Sequence, residues 1–477
     1  MMEGLMGRFV IVGAGIGGLV TALMLGREGH AVVVCERDAS PVPADADQMW
    51  SAWRRPGTAQ ARLGHTFLAG FRQMLEQRLP DVVEDVYSVG AQRWDLASDM
   101  PGDERRSEDA ELLMIMVRRP VMEGVLRRAA EAEPTVEIRR GCQVIGLTAE
   151  TTRSGVPTVT GVGIKDHGSL AADTVIVAGG RTLPIGRWFD QIGAAAPPEQ
   201  AEGCGAACYT RYFRLRERAG EDDGVTRKLT FHHEQGYVVG ELVGADRRTF
   251  ATELSVPIAD REFHRLREPA VWMAAAGAVD QWREWLDSER SQPISPAVEV
   301  MGQERNVIRS FTDDHGPLAL GVHVVGDSRC QTDSLFAWGC GNAMVTAAAL
   351  VDAIAEHPND THAQALALEQ QVGAELATRF HHSRARNRAT RAAALGEPPD
   401  PSGAGTALID NVLYPASRHD AEVYRALNRW ELQLDPADAL DTNTSIAARA
   451  QLVAQLPSDD DPFPTREQLL SVIASAK

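Results

Sequence analysis

Six residues near the amino terminus, Gly13-Ala14-Gly15-Ile16-Gly17-Gly18, constrain the fold of this 477-residue chain more than any other feature. They match G-x-G-x-x-G, directly after a short apolar run (Arg8–Val12) and at the head of a helical pattern over Ile16–Arg27. Gly13 permits a tight turn, Gly15 lets backbone N–H groups approach a pyrophosphate, and Gly18 lets the helix pack close to the sheet. The positive end of that helix attracts phosphate charge. A turn at Gly29-His30 and a β-branched run, Ala31–Glu36, complete a β–α–β unit. Glu36 ends the second strand, where a carboxylate can accept both hydroxyls of a ribose. Strand, helix and acid in this order predict a dinucleotide site.

Phe9 to Gly26 carries no charge over 18 residues and matches a membrane span in length. Its five glycines and the following Glu28 and His30 fit strand–turn–helix instead. No other stretch is expected to approach spanning length, so the sequence predicts a soluble protein without membrane insertion. A composition of 44% apolar and 24% charged residues fits a globular chain. The net charge of −18 argues against a general affinity for nucleic acid or anionic membranes, while leaving a local basic pocket open. Six cysteines read as reduced thiols of a cytoplasmic protein, with one local Cys204–Cys208 disulfide as the alternative. No zinc-ligand spacing accompanies them, and no metal is expected.

Residues 44–66 read as a long loop, Thr66–Arg78 as a helix, and Ser98–Asp109 as a charged, turn-rich loop. A helix starts near Pro120, followed by strands at Val136–Arg139, Gln143–Leu147, Thr158–Ile164 and Asp173–Ala178. Alternating stretches at Ala207–Leu215, Lys228–His232, Tyr237–Leu242 and Thr249–Ser255 predict an antiparallel sheet, with helices then holding Trp272, Trp282 and Trp285. From Leu318 the pattern returns to strand, then to an apolar helix from Gly339. The last 80 residues read as helical, with Pro-rich breaks at 397–403 and 457–464. The fold class is therefore α/β: a Rossmann-type domain split between residues 1–200 and 311–390, an inserted β-rich substrate domain at 201–310, and a mostly helical extension at 391–477.

The fingerprint alone does not separate FAD from NAD. Downstream, Gly326-Asp327 closes a predicted strand, and Gly339-Cys340-Gly341-Asn342 opens a helix. An aspartate there can hold a ribityl hydroxyl, and a helix N-terminus can stabilise negative charge on a reduced flavin. Together with the Glu36-Arg37 pair, VRRPVMEGVLRR, ADTVIVAGGR and GDSRCQTDSLFAWGCGNAM, the pattern resembles the FAD-dependent class A flavoprotein monooxygenases and their epoxidase-like and geranylgeranyl-reductase-like relatives, over most of residues 7–390. The resemblance implies FAD, with Gly13, Gly15, Ile16, Gly17, Glu36 and Arg37 on its ADP half. It implies Arg119, rather than Arg118, facing the pyrophosphate or ribityl chain, and Val144 passing its backbone near the adenine. Asp327 then lies by the ribityl phosphate region, with Gly339, Asn342 and Ala343 beneath the isoalloxazine, and Gly179 is a further cofactor-binding residue.

The loop Trp53–His65 combines Arg54, Arg55, Gln60, Arg62 and His65; the resemblance lays it along the flavin, whereas its composition alone also fits a solvated basic loop. The chain departs from the family at Ala178-Gly179-Gly180-Arg181, and where Ser334 and Ala337 replace a common proline and glycine. Those departures bear on flavin mobility.

Arginines 379, 384, 386, 388 and 391 predict a basic helix face, paired internally or solvated. His232 and His233 on one strand point to opposite faces and do not suit one metal. Tyr209, Tyr212, Phe213, Phe231 and Tyr237 fit either a substrate wall or sheet core. The chain has one nucleotide fingerprint, not the two of disulfide reductases, and lacks the Trp-x-Trp-x-Ile expected of a flavin halogenase. The resemblance implies a monooxygenase, hydroxylase or epoxidase, on an apolar or aromatic small molecule. NAD(P)H would be a transient donor, or a separate flavin reductase would supply electrons, and molecular oxygen would add at the flavin C4a as a hydroperoxide. A reductase or dehydrogenase of C=C bonds and a non-catalytic flavin binder remain as alternatives.

Overall fold

A computed structural model of the chain describes residues 7–102, 105–151, 155–218, 220–221, 225, 229–302, 304–395, 397, 407–454, 456 and 463–476. A five-stranded parallel sheet runs in the order Val322–Val324, Thr174–Val177, Arg8–Val12, Ala31–Glu36, Val136–Arg140. The two strands of the fingerprint unit pair in parallel from Arg8↔Ala31 to Val12↔Cys35. Strand alternation sorts the apolar side chains to two faces. Phe9 and Ile11 join the core beneath the helices Ile16–Arg27, Arg119–Ala132 and Trp338–Glu356. Val10 and Val12 point the other way, toward the helix Ile185–Gln191 and an antiparallel sheet of Val144–Thr151, Pro157–Ile164 and Gly168–Ala171. Such burial on both faces explains why these strands read as continuous apolar runs.

Residues 201–310 supply most of a second, antiparallel sheet, ordered Thr230–Gln235, Val238–Gly244, Thr249–Pro257, Ala206–Leu215, Ser291–Pro293. The strand Glu299–Gly302 also pairs with Ala206–Leu215. Tyr209, Phe213, Leu242 and Leu254 pack with the helices Pro269–Gly277 and Asp280–Leu286 and with Leu469 and Ile473 of the last helix, Arg466–Ser475. The aromatic residues Tyr209 and Phe213 are therefore sheet core. His232 and His233 do face opposite ways: His233 stacks on Phe463 at 4.6 Å, whereas His232 meets Glu241.

Several boundaries differ from the sequence expectation. The loop at 44–66 contains a helix, Ala46–Ser51, whose N-cap Asp45 accepts from the N–H groups of Asp47 and Gln48, and a tight turn at Ala59–Arg62. The helix expected from Thr66 starts at Ala69, because the backbone of Phe67 pairs with Ile115 instead. The strand expected from Leu318 shrinks to Val322–Val324 behind Gly321, whose φ of +68° breaks extended geometry. Short turns at Leu96–Asp99 and Ser107–Glu111 occupy the charged loop, of which residues 103–104 lie outside the described residues, as do Lys228 and most of the two proline-rich breaks. A second segment also reaches spanning length: Trp338–Glu356 is long and apolar enough to cross a membrane, yet 78% of that stretch is buried inside the fold, as a core helix. All six cysteines are free and buried, with no Cys204–Cys208 bond.

The basic face falls on one helix, Thr361–Leu395, and pairs internally: Arg379 with Glu375, Arg384 and Arg388 with Glu202, and Arg386 with Asp410.

Candidate functional site

The ends of the parallel strands, one face of the antiparallel sheet and the carboxy-terminal helices enclose a single cavity of about 1710 Å³. That exceeds the ~300–1,000 Å³ of an ordinary ligand pocket and leaves room for a large cofactor beside a substrate. Gly13, Gly15, Ile16, Gly17, Glu36, Arg37, Arg55, Gln60, Arg119, Val144, Gly179, Asp327, Gly339 and Ala343 all line it. Segments separated by more than 300 residues thus converge on one cavity.

Asn342 is the exception. Its side chain is buried away from the cavity and its Oδ1 accepts from Gln433 Nε2 at 2.8 Å, because that helix position faces the carboxy-terminal helices.

The three fingerprint glycines answer different constraints. Gly13 has φ +101°, and a Cβ there would stand 2.6 Å from the Ala178 carbonyl oxygen. A Cβ on Gly18 would stand 2.0 Å from the Gly13 oxygen. A Cβ on Gly15 would meet nothing within 4 Å, so the space a pyrophosphate needs is open. Gly15 caps its helix with no side-chain bond, which leaves first-turn N–H groups directed at that space.

A chain of ion pairs stiffens the wall behind it. Buried Glu123 accepts from Arg55 Nε at 3.0 Å and from Arg119 Nε at 2.9 Å. Those two cations hold its carboxyl below the usual range despite burial. Glu36 is already well occupied: Oε2 accepts from the Ala14 N–H at 3.1 Å and from Arg127 Nη2 at 3.2 Å, and Oε1 from the Asp38 N–H at 2.8 Å. A carboxylate has about four acceptor positions, so little capacity is left for a ribose without rearrangement of these partners. Arg118 is fully buried against Asp246, with Oδ2 2.6 Å from Nη2, so Arg119 is the arginine of the pair that faces the cavity.

On the far side, Arg181 Nε donates to Asp327 Oδ2 at 3.0 Å and its Nη1 bonds Glu304. Glu304 also accepts from the Ser334 hydroxyl, which pins the segment before the helix Trp338–Glu356. Ala337 caps that helix in the left-handed region, φ 54°, without a side-chain bond, and Trp338, Gly339 and Cys340 line the cavity. Cys340 Sγ lies 3.5 Å from His65 Nε2 and 3.7 Å from Arg119 Nη1. Burial pushes the thiol up to about 11, so it stays protonated; burial and the cations Arg119 and Arg181 push His65 well below its ordinary value, so it stays neutral.

Several site residues were not anticipated. Behind the wall, buried Glu123 and Arg127 continue Arg119 at helical spacing, a periodic signal visible in the sequence, and other unanticipated residues line the cavity itself. Phe336, Trp338, Tyr414 and Tyr424 form an aromatic wall, and Glu241 and Glu253 enter from the antiparallel sheet. These come from remote segments and carry no local signal.

No family model matches the sequence, and neither does any curated protein. Solved structures match its fold. PqsL of Pseudomonas aeruginosa, in complex with 2-aminobenzoylacetate, aligns with a TM-score of 0.57 at 16% identity, over 81% of this chain and 96% of that one. CmlS, a flavin-dependent halogenase, aligns at 0.58 and 16% identity over 99% of this chain and 77% of its own. The tetrameric form of 2-methyl-3-hydroxypyridine-5-carboxylic acid oxygenase aligns at 0.54 and 16% identity, covering 85% and 96%. The chain therefore has the mixed α/β fold, with its parallel sheet, of these enzymes.

Proposed function

We propose that the chain is an FAD-dependent monooxygenase, a hydroxylase or epoxidase, that inserts one oxygen atom into an apolar or aromatic small molecule. The observation that carries this reading is one cavity joining an open glycine fingerprint, the Arg119–Glu123–Arg55 chain, the uncapped helix end at Ala337–Cys340 and an aromatic wall. The fold shared with PqsL, named as a probable FAD-dependent monooxygenase, and with the pyridine-carboxylic acid oxygenase supports it.

In this reading residues 1–200 and 311–390 hold the cofactor, 201–310 cover the substrate, and 391–477 complete the wall. Gly13–Gly17 and the first helix bind the pyrophosphate, Glu36 and Val144 the adenosine, and Arg119 and Asp327 the ribityl chain. The helix start at Gly339–Ala343 would hold the isoalloxazine, and its N–H groups would favour negative charge developing on the ring. When bound and reduced, the flavin supplies the electrons that activate oxygen. Phe336, Trp338, Tyr414 and Tyr424 orient an apolar substrate and exclude water, which limits wasteful loss of hydrogen peroxide. NAD(P)H docking transiently, or a separate flavin reductase, serves as donor. The proposal includes a cytoplasmic setting, with which six free cysteines are compatible.

Mass spectrometry of products formed from a panel of aromatic and alkene compounds under ¹⁸O₂ tests the reading: one labelled atom per product is expected. A reductase of C=C bonds, the activity of the geranylgeranyl-reductase-like relatives that the sequence also resembles, is the second reading. Donor consumption that yields a hydrogenated, unlabelled product would establish that reading instead.

A further inference from the structure

A row of polar side chains crosses the antiparallel sheet on its cavity side. In register, His232 stands opposite Glu241, Glu241 opposite Glu253, Glu253 opposite Thr210, and Thr210 opposite Glu299. Residues paired directly across strands share a face, with Cβ atoms ~4.5–5.5 Å apart. His232 Nδ1 lies 3.0 Å from Glu241 Oε1, and at the other end Glu299 Oε1 lies 3.6 Å from Arg62. His232, Glu241 and Glu253 all line the cavity.

The three grade in exposure: the His232 side chain is 46% exposed, Glu241 23%, and Glu253 only 5% as a residue. Glu253 Oε2 accepts from the Thr210 hydroxyl, Oε1 accepts from the Ser255 hydroxyl at 3.1 Å, and Ser255 itself bonds Cys208 Sγ. From the facing loop, a Cβ built on Gly64 would stand 3.6 Å from Glu253 Oε2, next to the His65 that meets Cys340.

Like charges placed directly opposite on a sheet repel, and two carboxylates in one site cannot both ionise cheaply. The titratable groups facing Glu253 include Glu241 across one strand pair and Cys208 across the other, with Tyr212 farther along the Cys208 strand. The facing loop adds His65, which stays neutral, and Arg62, whose charge is engaged by Glu299 at the other end of the row. Burial and the Glu241 charge push Glu253 up to about 7. Hydroxyls that can donate or accept keep it hydrogen-bonded in either protonation state.

We propose that Glu253, Glu241 and His232 form a proton-transfer row by which the inner cavity exchanges protons with solvent, Glu253 being the member that delivers a proton inside. This rests on the flavin monooxygenase reading, whose chemistry requires such a route. For a substrate S–H, the balance is S–H + O₂ + NAD(P)H + H⁺ → S–OH + H₂O + NAD(P)⁺. One proton per turnover must therefore reach the site.

Reoxidation of the chemically reduced holoenzyme tests the row without any substrate: reduced anionic flavin + O₂ + H⁺ → oxidised flavin + H₂O₂. Dithionite-reduced protein, freed of excess reductant and mixed with oxygenated buffer, is followed by flavin absorbance from pH 5.5 to 9. The wild type is expected to slow as pH rises through the ionisation of Glu253. Glu253→Gln should be slower at low pH by at least about tenfold and lose this dependence. Glu241→Gln, at a partly exposed position, should move the wild-type dependence to lower pH, because removing the like charge lets Glu253 ionise sooner. Infrared pH-difference spectra supply a readout independent of turnover: a protonated-carboxyl band that vanishes on raising the pH and is missing from Glu253→Gln. A Glu253→Gln protein that holds FAD and keeps the wild-type rate and pH profile overturns the row, as does an unshifted profile in Glu241→Gln. A wild-type protein that takes up no FAD overturns the flavin reading and the row's role in it together, and its missing flavin absorbance identifies that failure before any variant is compared.

Discussion

Two glycines three residues apart, Gly15 and Gly18, behave oppositely toward substitution. The space in front of Gly15 is open, so the side chain in Gly15→Val would occupy the cavity and leave the core alone. That variant should unfold like the wild type while losing FAD affinity by roughly 100-fold, about 3 kcal/mol, measured by flavin titration beside a thermal melt. A Cβ on Gly18 would collide with backbone 2.0 Å away, so a change there damages the fold first. Glu253 yields a prediction of the other kind. Its pKa is raised from 4.5 to about 7 on folding, so its contribution to stability is complete below pH 4.5 and is lost as pH rises toward 7. Denaturant unfolding across that range should show Glu253→Gln gaining on the wild type by on the order of 1–3 kcal/mol. Equal pH slopes for the two proteins would contradict a neutral native carboxyl. The glycine signals were readable because each is a local backbone constraint. Glu253 was not, since its environment exists only once Glu241, Thr210 and Gly64 are brought around it.

At the level of elements, helix and strand periodicity located the β–α–β unit to the residue: Arg8–Val12, Ile16–Arg27 and Ala31–Glu36 stand as the pattern predicts. Short pieces escaped it. The helix Ala46–Ser51 is too brief to show a period and is set by its Asp45 cap, while Gly321 cut an apolar run that otherwise read as a long strand. The helix Trp338–Glu356 begins at a position where conformation and residue type disagree. Ala337 adopts φ 54°, a region costing a non-glycine residue about 1–2 kcal/mol, and the resembling family commonly has glycine there. Ala337→Gly should therefore stabilise the protein by about 0.5–1 kcal/mol after the entropic cost of glycine, as read by chemical denaturation. A loss of stability would show that the methyl group's packing in the cluster with Phe336 and Trp338 outweighs the backbone strain.

Across the whole molecule, function depends on parts no local pattern joins. The parallel sheet takes its edge strand, Val322–Val324, from beyond the antiparallel sheet, and this brings Asp327 and Gly339 to the fingerprint. Both ends of that arrangement were legible because strand, glycine turn and helix recur at each. The carboxy-terminal helices were legible as helices but not as walls. Trp338 Nε1 donates to the Glu431 carbonyl at 2.9 Å and its ring meets Trp430 edge-on at 5.3 Å, so the helix at the cavity floor is held by the chain's last hundred residues. Placement of the cofactor is the claim on which the rest stands. The most direct test is a crystal structure of the protein grown with FAD. The account predicts the pyrophosphate at Gly13–Gly17, adenosine toward Glu36 and Val144, and the isoalloxazine against Gly339–Ala343 beneath the aromatic wall. A flavin ring lodged elsewhere, or a cavity that excludes FAD and takes a nicotinamide dinucleotide in its place, would contradict it.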